Sequence, residues 1–312
     1  MNILSIILTV LGLSLFEIIS SIDNAIINAE VLSTMKAKAR RWFLVWGLLL
    51  AVFVVRGLLP WVIVWATTPE LGPTGSLFAT FSNDPKVISA IESSSPILLI
   101  GGGIFLIFLF FNWLFMEEKN FGLPGERFFR RQAVWFYAVI SIVLAVVVWF
   151  ALKTHPIMAF GGVLGSTAFF IVHGFRQNAE LEEKRLLDNK SNLSDISKIL
   201  YLEVIDATFS IDGVLGAFAF TLSVPLILLG NGLGAFILRQ MTIGNIDRIK
   251  KYKYLKNGAM YSILFLGIIM VLDSFGFHIP SWVSPVVTFS AVGFFLWKSK
   301  KELAKDLTAI HI

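Results

Sequence analysis

Two short acidic motifs are the residues of this sequence best suited to chemistry. Glu17 is followed by Ser-Ile-Asp at 21–23, and Asp206 is followed by the same three residues at 210–212. Both motifs stand inside apolar stretches, where each carboxylate costs about 2.5–3.5 kcal/mol unless it meets protein, water or a cation. Carboxylate, amide and hydroxyl oxygens suit hard divalent cations such as Mg²⁺, Ca²⁺ and Mn²⁺. The motifs therefore predict an intramembrane cation site.

The candidate metal ligands are the acids of the two motifs and the polar residues beside them. They are Glu17, Asp23, Asn24, Glu203, Asp206, Ser210 and Asp212. Glu203 is the least suited of these, because an ideal helix places it on the far side from Asp212. Arg56 and Arg239 each stand in the apolar stretch after a motif, as gate charges or ion-pair partners. A purely structural role for the acids is the alternative, but two arginines cannot neutralise five carboxylates.

Helical geometry divides the acids between two faces. Glu17, Ser21, Asn24 and Asn28 follow one stripe of a helix. Asp23 and Asp212 lie about 120° away from the acid that opens each motif. Either each helix faces a broad cavity, or it unwinds near Ser-Ile-Asp. Gly213 and Gly216 favour unwinding in the second motif.

Composition indicates the elements that must carry these motifs. Of 312 residues, 56% are hydrophobic and 15% are charged, whereas a soluble domain has about 25% charged residues. Apolar runs long enough to cross a bilayer recur along the chain. We therefore predict one all-α membrane domain over residues 1–312. The chain has no cysteine, which excludes disulfides and thiolate metal sites.

Nine transmembrane spans are predicted from apolar length and turn residues. They cover about 3–32, 42–66, 96–116, 133–152, 156–175, 199–222, 224–244, 258–275 and 280–297. The segment at 67–95 reads as an external loop of turns and irregular backbone, with a short helix possible. Glycines at 101–103 and at 161, 162 and 165 indicate close helix packing rather than phosphate binding.

Loop charges predict the orientation. All but four of the 26 Lys and Arg fall in the 33–41 loop, in later loops of the same side or in the C-terminal tail. The exceptions are Arg56, Lys86, Lys153 and Arg239. By the positive-inside rule the N-terminus lies outside and the C-terminus in the cytoplasm. The net charge of +5 thus reflects orientation signals, and nucleic-acid binding is excluded.

The two motifs also indicate an internal repeat. In each half, an acidic span is followed by a span with one arginine and then by a glycine-containing span. Repeat one covers about 3–116 and repeat two about 199–275, with a hairpin at about 133–175 and a final span at about 280–297. The predicted orientation makes the repeats antiparallel, a construction typical of secondary transporters.

At these residues the chain resembles the TerC family of integral membrane proteins, named for tellurium resistance. The first family motif, Glu, five residues and Asp-Asn, stands here as Glu17 to Asp23-Asn24. The second motif stands as Glu203, Asp206, Phe209 and Asp212. Gly213 departs from the family pattern, which often has Ser there. The resemblance covers both repeats and leaves out the fourth and fifth spans.

The resemblance implies a transporter similar to bacterial manganese exporters, with the acids of both motifs as ligands. We therefore expect export of a divalent cation, Mn²⁺ first, by alternating access in the bacterial inner membrane. The alternative is a membrane scaffold in a tellurite or metal stress-response complex, because some relatives are tied to such roles. No motif of a serine hydrolase, zinc protease or phosphate-binding loop is present, so neither an enzyme nor a resident cofactor is expected.

Overall fold

The protein is all-helical in a computed structural model that describes residues 3–47, 50, 56–78, 85–188 and 194–310. The α-helices are α1 (Ile3–Ser20), α2 (Ile22–Ser33), α3 (Ala37–Trp42), α4 (Leu59–Thr67), α5 (Gly72–Phe78), α6 (Pro85–Phe115), α7 (Pro124–Arg131), α8 (Phe136–Thr154), α9 (Pro156–Asp188), α10 (Asp195–Ala217), α11 (Val224–Lys250), α12 (Leu255–Ser274) and α13 (Val283–Ile310). Within these ranges there is no β-strand.

Six helices of the described part are long and apolar enough to cross a bilayer, which makes the chain an α-helical membrane protein. They lie in α1, α6, α9, α11 and α12 and in the segment that ends with α8. The predicted sixth and ninth spans coincide with α10 and α13, which are not among the six. α10 carries three acids in its apolar part. The count of nine therefore stays a prediction.

The long helix α6 is the centre of the bundle. In the membrane-spanning stretch of α6, 89% is buried inside the bundle. In the stretch that ends with α8, only 11% is buried. α6 packs mainly against α9 and α12, and its aromatic side chains form much of the largest hydrophobic core. The exposed apolar side chains of α8 are those expected to face lipid.

Glycines bring three helices into backbone contact, as predicted. A Cβ at Gly165 of α9 would lie 2.0 Å from the carbonyl oxygen of Gly101 in α6. On another face of α6, a Cβ at Gly103 would lie 2.8 Å from the carbonyl oxygen of Gly267 in α12. No larger residue fits at either crossing, because the space is already filled by backbone. Gly162 differs, since its Cβ would meet only Val148 at 3.8 Å.

The first two predicted spans are less regular than expected. The helix that carries the first motif is interrupted at Ser21, where α1 ends and α2 begins. The second predicted span, 42–66, contains a π-helix at Phe43–Gly47, π-helical residues at 56–58 and most of α4, whereas α3 precedes it and overlaps it only at Trp42. Residues 48–49 and 51–55 of that span lie outside the described part. π-Helical turns occur frequently at functional sites.

Three sequence-based expectations differ from the structure. Residues 85–95 are helical, because α6 begins at Pro85, where the fixed backbone angle of proline favours a helix start. α9 runs to Asp188, well beyond the predicted end of the span at 175. α10 is continuous through Gly213 and Gly216, so the unwinding that these glycines favoured, one of the two alternatives, does not occur there. These glycines instead provide room for side chains of α1.

A buried polar network fixes α7 to the start of α12. Glu126 of α7 is 1% exposed and accepts hydrogen bonds from the Gly122 amide (2.7 Å), Asn257 Nδ2 (2.9 Å) and Tyr261 Oη (3.2 Å). Nearby, Lys119 Nζ donates to the carbonyls of Trp113 and Leu114 at the end of α6. Burial lowers the pKa of Lys119 to about 8.

Candidate cation site

Two carboxylates from distant parts of the chain converge on one guanidinium. Arg56 Nε donates to Glu17 Oε1 at 2.9 Å, and Arg56 Nη2 lies 2.7 Å from the same oxygen. On its other side, Arg56 Nη1 lies 3.4 Å from Asp206 Oδ2. Glu17 is 1% exposed, Arg56 3% and Asp206 9%. We call Glu17, Arg56 and Asp206 the central triad; its formal charges sum to −1.

Small residues allow Glu17 to enter the packed interface. A Cβ at Gly234 of α11 would lie 2.7 Å from Glu17 Cβ. A Cβ at Gly213 of α10 would lie 3.0 Å from Glu17 Oε2. One turn away on α10, Gly216 makes room for the ring of Phe16. The opening acids of the two motifs, Glu17 and Asp206, therefore lie on one guanidinium, and the glycines make room for Glu17 there.

The break at Ser21 places further oxygen and nitrogen atoms beside the triad. The Ser21 hydroxyl donates to Glu17 Oε1 at 2.9 Å, and Asn24 Nδ2 donates to Asp206 Oδ1. Asn24 is 3% exposed, and its Oδ1 has no hydrogen-bond partner in the described part of the chain. Asn24 is thus an amide ligand candidate with an oxygen still available. The side chain of Asp23 lies outside the described part.

Asp212 pairs with a different arginine, Arg176, rather than with Arg56. Its Oδ2 pairs with Arg176 Nη2 of α9, and the side chains of both residues are largely buried. Asp212 Oδ1 has no hydrogen-bond partner among the described residues. Sequence reasoning placed Arg176 in a cytoplasmic loop and missed this pair. The sequence signal that could have found it is the helical pattern that continues from Pro156 past Arg176, because this pattern places Arg176 on the same helix as the membrane span.

The remaining candidates occupy the periphery of the triad. Ser210 donates to the backbone carbonyl of Asp206 at 2.6 Å, a bond within α10, so its hydroxyl proton is already used. Both carboxylate oxygens of Glu203 are buried and lack a hydrogen-bond partner in the described ranges. The carboxylate lies against the π-helix, because a Cβ at Gly47 would be 2.2 Å from Glu203 Oε1.

Arg239 does not form a described ion pair with the acids. Its Nη2 donates to the carbonyl of Phe43, and its guanidinium lies 4.6 Å from the centre of the Phe43 ring. Arg239 thus fixes the start of the π-helix. Of the two arginines predicted as charge partners, Arg56 alone has a described ion pair with a motif acid.

Of the five acids predicted as ligands, the described part of the structure brings two, Glu17 and Asp206, to one point. Among the described side chains, no three of His, Cys, Asp or Glu lie close enough to hold a metal ion together. A hard cation at the triad would therefore take oxygens from Glu17, Asp206, the amide of Asn24 and the hydroxyl of Ser21. Arg56 already lies between the two carboxylates, so a cation and this guanidinium compete for the same oxygens.

Comparison with known proteins gives one result. No curated protein and no solved structure is significantly similar to the chain. The sequence pattern of one family, described as "Protein of unknown function (DUF475)", matches residues 22–305, which contain the whole second motif and, from the first, Asp23 and Asn24 but not Glu17. The protein belongs to the DUF475 family.

Proposed function

We propose that the protein is a secondary transporter that exports a divalent metal cation, with Mn²⁺ as the first candidate. One observation carries the proposal: Glu17 and Asp206, from two helices that meet inside the bundle, share a single buried guanidinium. Buried carboxylates in a membrane protein are functional by default, because their insertion is costly. The TerC resemblance of the two motifs supports the same substrate class.

The charges of the triad suggest how a cation is bound and released. Two carboxylates and Arg56 leave one negative charge, whereas the same carboxylates with a divalent cation are neutral. Arg56 therefore acts as a built-in competitor that must turn away when the cation binds. Re-entry of Arg56 between Glu17 and Asp206 then favours cation release. This exchange gives the binding site two alternative arrangements, as alternating access requires.

Two inverted repeats remain part of the proposal, and the α6–α12 crossing supports them. Gly103 and Gly267 stand in the third predicted span of each repeat. Their contact is reciprocal, because a Cβ on either one would lie within 3.0 Å of the other's carbonyl oxygen. Equivalent elements related by a two-fold axis meet through such reciprocal contacts. Nine spans, an external N-terminus, a cytoplasmic C-terminus and the bacterial inner membrane also stay parts of the proposal, supported by apolar length, loop charges and the TerC resemblance.

The decisive experiment measures cell-associated Mn and Mn tolerance in cells that express wild type, Glu17→Gln or Asp206→Asn. We expect both amide variants to accumulate Mn and lose tolerance. Asp195→Asn, at the half-buried first residue of α10, is the matched control and should behave as wild type. Equal Mn content and tolerance in all strains, at equal protein levels, would overturn the transport proposal.

A membrane scaffold is the second candidate, and the Asp212–Arg176 pair favours it. That pair joins α9 to α10, so that one acid of the second motif serves helix packing. The scaffold hypothesis predicts that Glu17→Gln and Asp206→Asn keep their phenotype while changes in the loops abolish it. The same strains therefore separate the two functions.

A further inference from the structure

Asn231 of α11 is a buried amide that the sequence motifs did not single out. It is 0% exposed, and neither its Nδ2 nor its Oδ1 has a hydrogen-bond partner in the described part of the chain. An amide buried in this way is costly, since both its donor and its acceptor lose water without replacement. Such a residue in the middle of a membrane helix calls for a functional explanation.

Contacts of neighbouring residues place Asn231 beside the central triad. Gly230 and Gly234 face α1, because Ser14 Oγ donates to the Gly230 carbonyl at 2.9 Å and Gly234 adjoins Glu17 Cβ. Leu228 faces the segment that carries Arg56, since its side chain would lie 3.1 Å from a Cβ at Gly57. α11 therefore touches α1 on one side and the neighbour of Arg56 on the other.

Viewed down the axis of α11, Asn231 lies between the face that contacts α1 and the face that contacts the Arg56 segment. At 3.6 residues per turn, Asn231 is about 100° round from Gly230 and about 60° from Leu228. Along the axis it is about 4.5 Å from Gly234, which is level with Glu17. This position directs the side chain into the wedge between α1 and the Arg56 segment, about 4.5 Å along the axis from the level of Glu17.

We propose that Asn231 is a further ligand of the transported divalent cation, contributed by α11 through its amide oxygen. The inference rests on the proposed function and adds a residue to its site. A neutral amide oxygen suits a hard cation and adds no charge repulsion to Glu17 and Asp206. With Asn24 on α2, Asn231 provides a second amide, so that the cation is held by both carboxylates, two amide oxygens and the hydroxyl of Ser21.

The experiment measures Mn²⁺ binding to the purified full-length protein in detergent, by the loss of the electron paramagnetic resonance signal of free Mn²⁺. Asn231→Leu keeps the approximate volume and removes the oxygen, and we expect Mn²⁺ affinity to fall about tenfold, or about 1.4 kcal/mol. Asn231→Asp restores an oxygen and should bind Mn²⁺ at least as tightly as wild type.

Thr288→Val is the matched control. Thr288 of α13 is also 0% exposed, and its Oγ1 lacks a hydrogen-bond partner among the described residues. α13 packs on the side of α1 that carries Gly12, about 140° away from Glu17. Removing either polar group should raise the unfolding temperature without metal, since an unsatisfied group is lost, but Thr288→Val should leave Mn²⁺ affinity unchanged.

The outcomes separate this inference from the function on which it rests. Wild-type Mn²⁺ binding with unchanged affinity in a folded Asn231→Leu variant would overturn the role of Asn231 and leave the transport proposal standing. A tenfold loss in both Asn231→Leu and Thr288→Val would also overturn it, as a general packing effect. Absence of Mn²⁺ binding by wild type would overturn both proposals together.

Discussion

Removal of the Arg56 guanidinium should make the protein dependent on a divalent cation for its stability. In Arg56→Gln, Glu17 and Asp206 remain buried and lose the charge that both contact. Breaking a buried ion pair by removing one partner costs about 3–5 kcal/mol. The full range applies here, because the three side chains are at least 88% buried and solvent screens them little.

Mn²⁺ should recover most of that loss. A cation that binds only the folded state, at 100 times its Kd, adds about 2.7 kcal/mol to the free energy of unfolding. The gain should be smaller in wild type, where the cation must first displace Arg56. The assay is thermal unfolding of the detergent-purified protein, followed by tryptophan fluorescence, in chelator and in a series of Mn²⁺ concentrations.

The double variant Glu17→Gln/Arg56→Gln is the matched control for this experiment. It removes both charges of the closest pair and leaves Asp206 as the one acid without its guanidinium, so in chelator it should unfold below wild type but above Arg56→Gln. It should also lose the response to Mn²⁺, since one carboxylate ligand is gone. An Arg56→Gln variant as stable as wild type in chelator, or one that Mn²⁺ fails to stabilise, would refute the competition between Arg56 and the cation.

Three further predictions concern helix packing, the second ion pair and pH. Gly165→Ala should destabilise the protein by about 1–3 kcal/mol, because its Cβ would overlap the facing carbonyl of α6, whereas Gly162→Ala should be tolerated. Asp212→Asn and Arg176→Gln should each cost about 3 kcal/mol in denaturant unfolding, and the double variant clearly less than their sum. Burial lowers the pKa of Lys119 from 10.5 in the unfolded chain to about 8 in the folded protein. Between these pH values the unfolded chain binds more protons, so the free energy of unfolding should rise with pH. Lys119→Met should lose that rise.

Each of these predictions has a contrary result. Equal stability of the Gly165→Ala and Gly162→Ala variants would show that α6 and α9 are not in backbone contact. Strict additivity of the Asp212 and Arg176 substitutions would show that the two side chains do not interact. A pH dependence that Lys119→Met leaves unchanged would assign it to another group.

The membrane helices could be predicted from the sequence because their signal is local. An apolar run of bilayer length satisfies its own backbone hydrogen bonds as a helix, whatever its neighbours are. The helices α8, α11 and α12 begin within a few residues of their predicted starts for this reason. The glycine crossings were predictable for a related reason, since small residues in apolar helices permit close approach.

The site was predictable only in part. The sequence identified Glu17, Asp206 and Arg56, because charge inside an apolar stretch is conspicuous and costly. It did not identify Arg176 as the partner of Asp212, since Arg176 lies where the hydropathy of α9 declines. It also passed over Asn231, because an asparagine within an apolar helix is ordinary until its surroundings are known.

The amino-acid sequence by itself determined that this chain is a helical membrane protein with acids and arginines in its interior, because hydropathy and charge are properties of each segment alone. Tertiary structure decided which charges meet. Arg56 joins two acids that are 189 residues apart in the chain, and the first motif helix, rather than the glycine-containing second, is the one that breaks. Such pairings depend on how helices pack, and no local pattern encodes that.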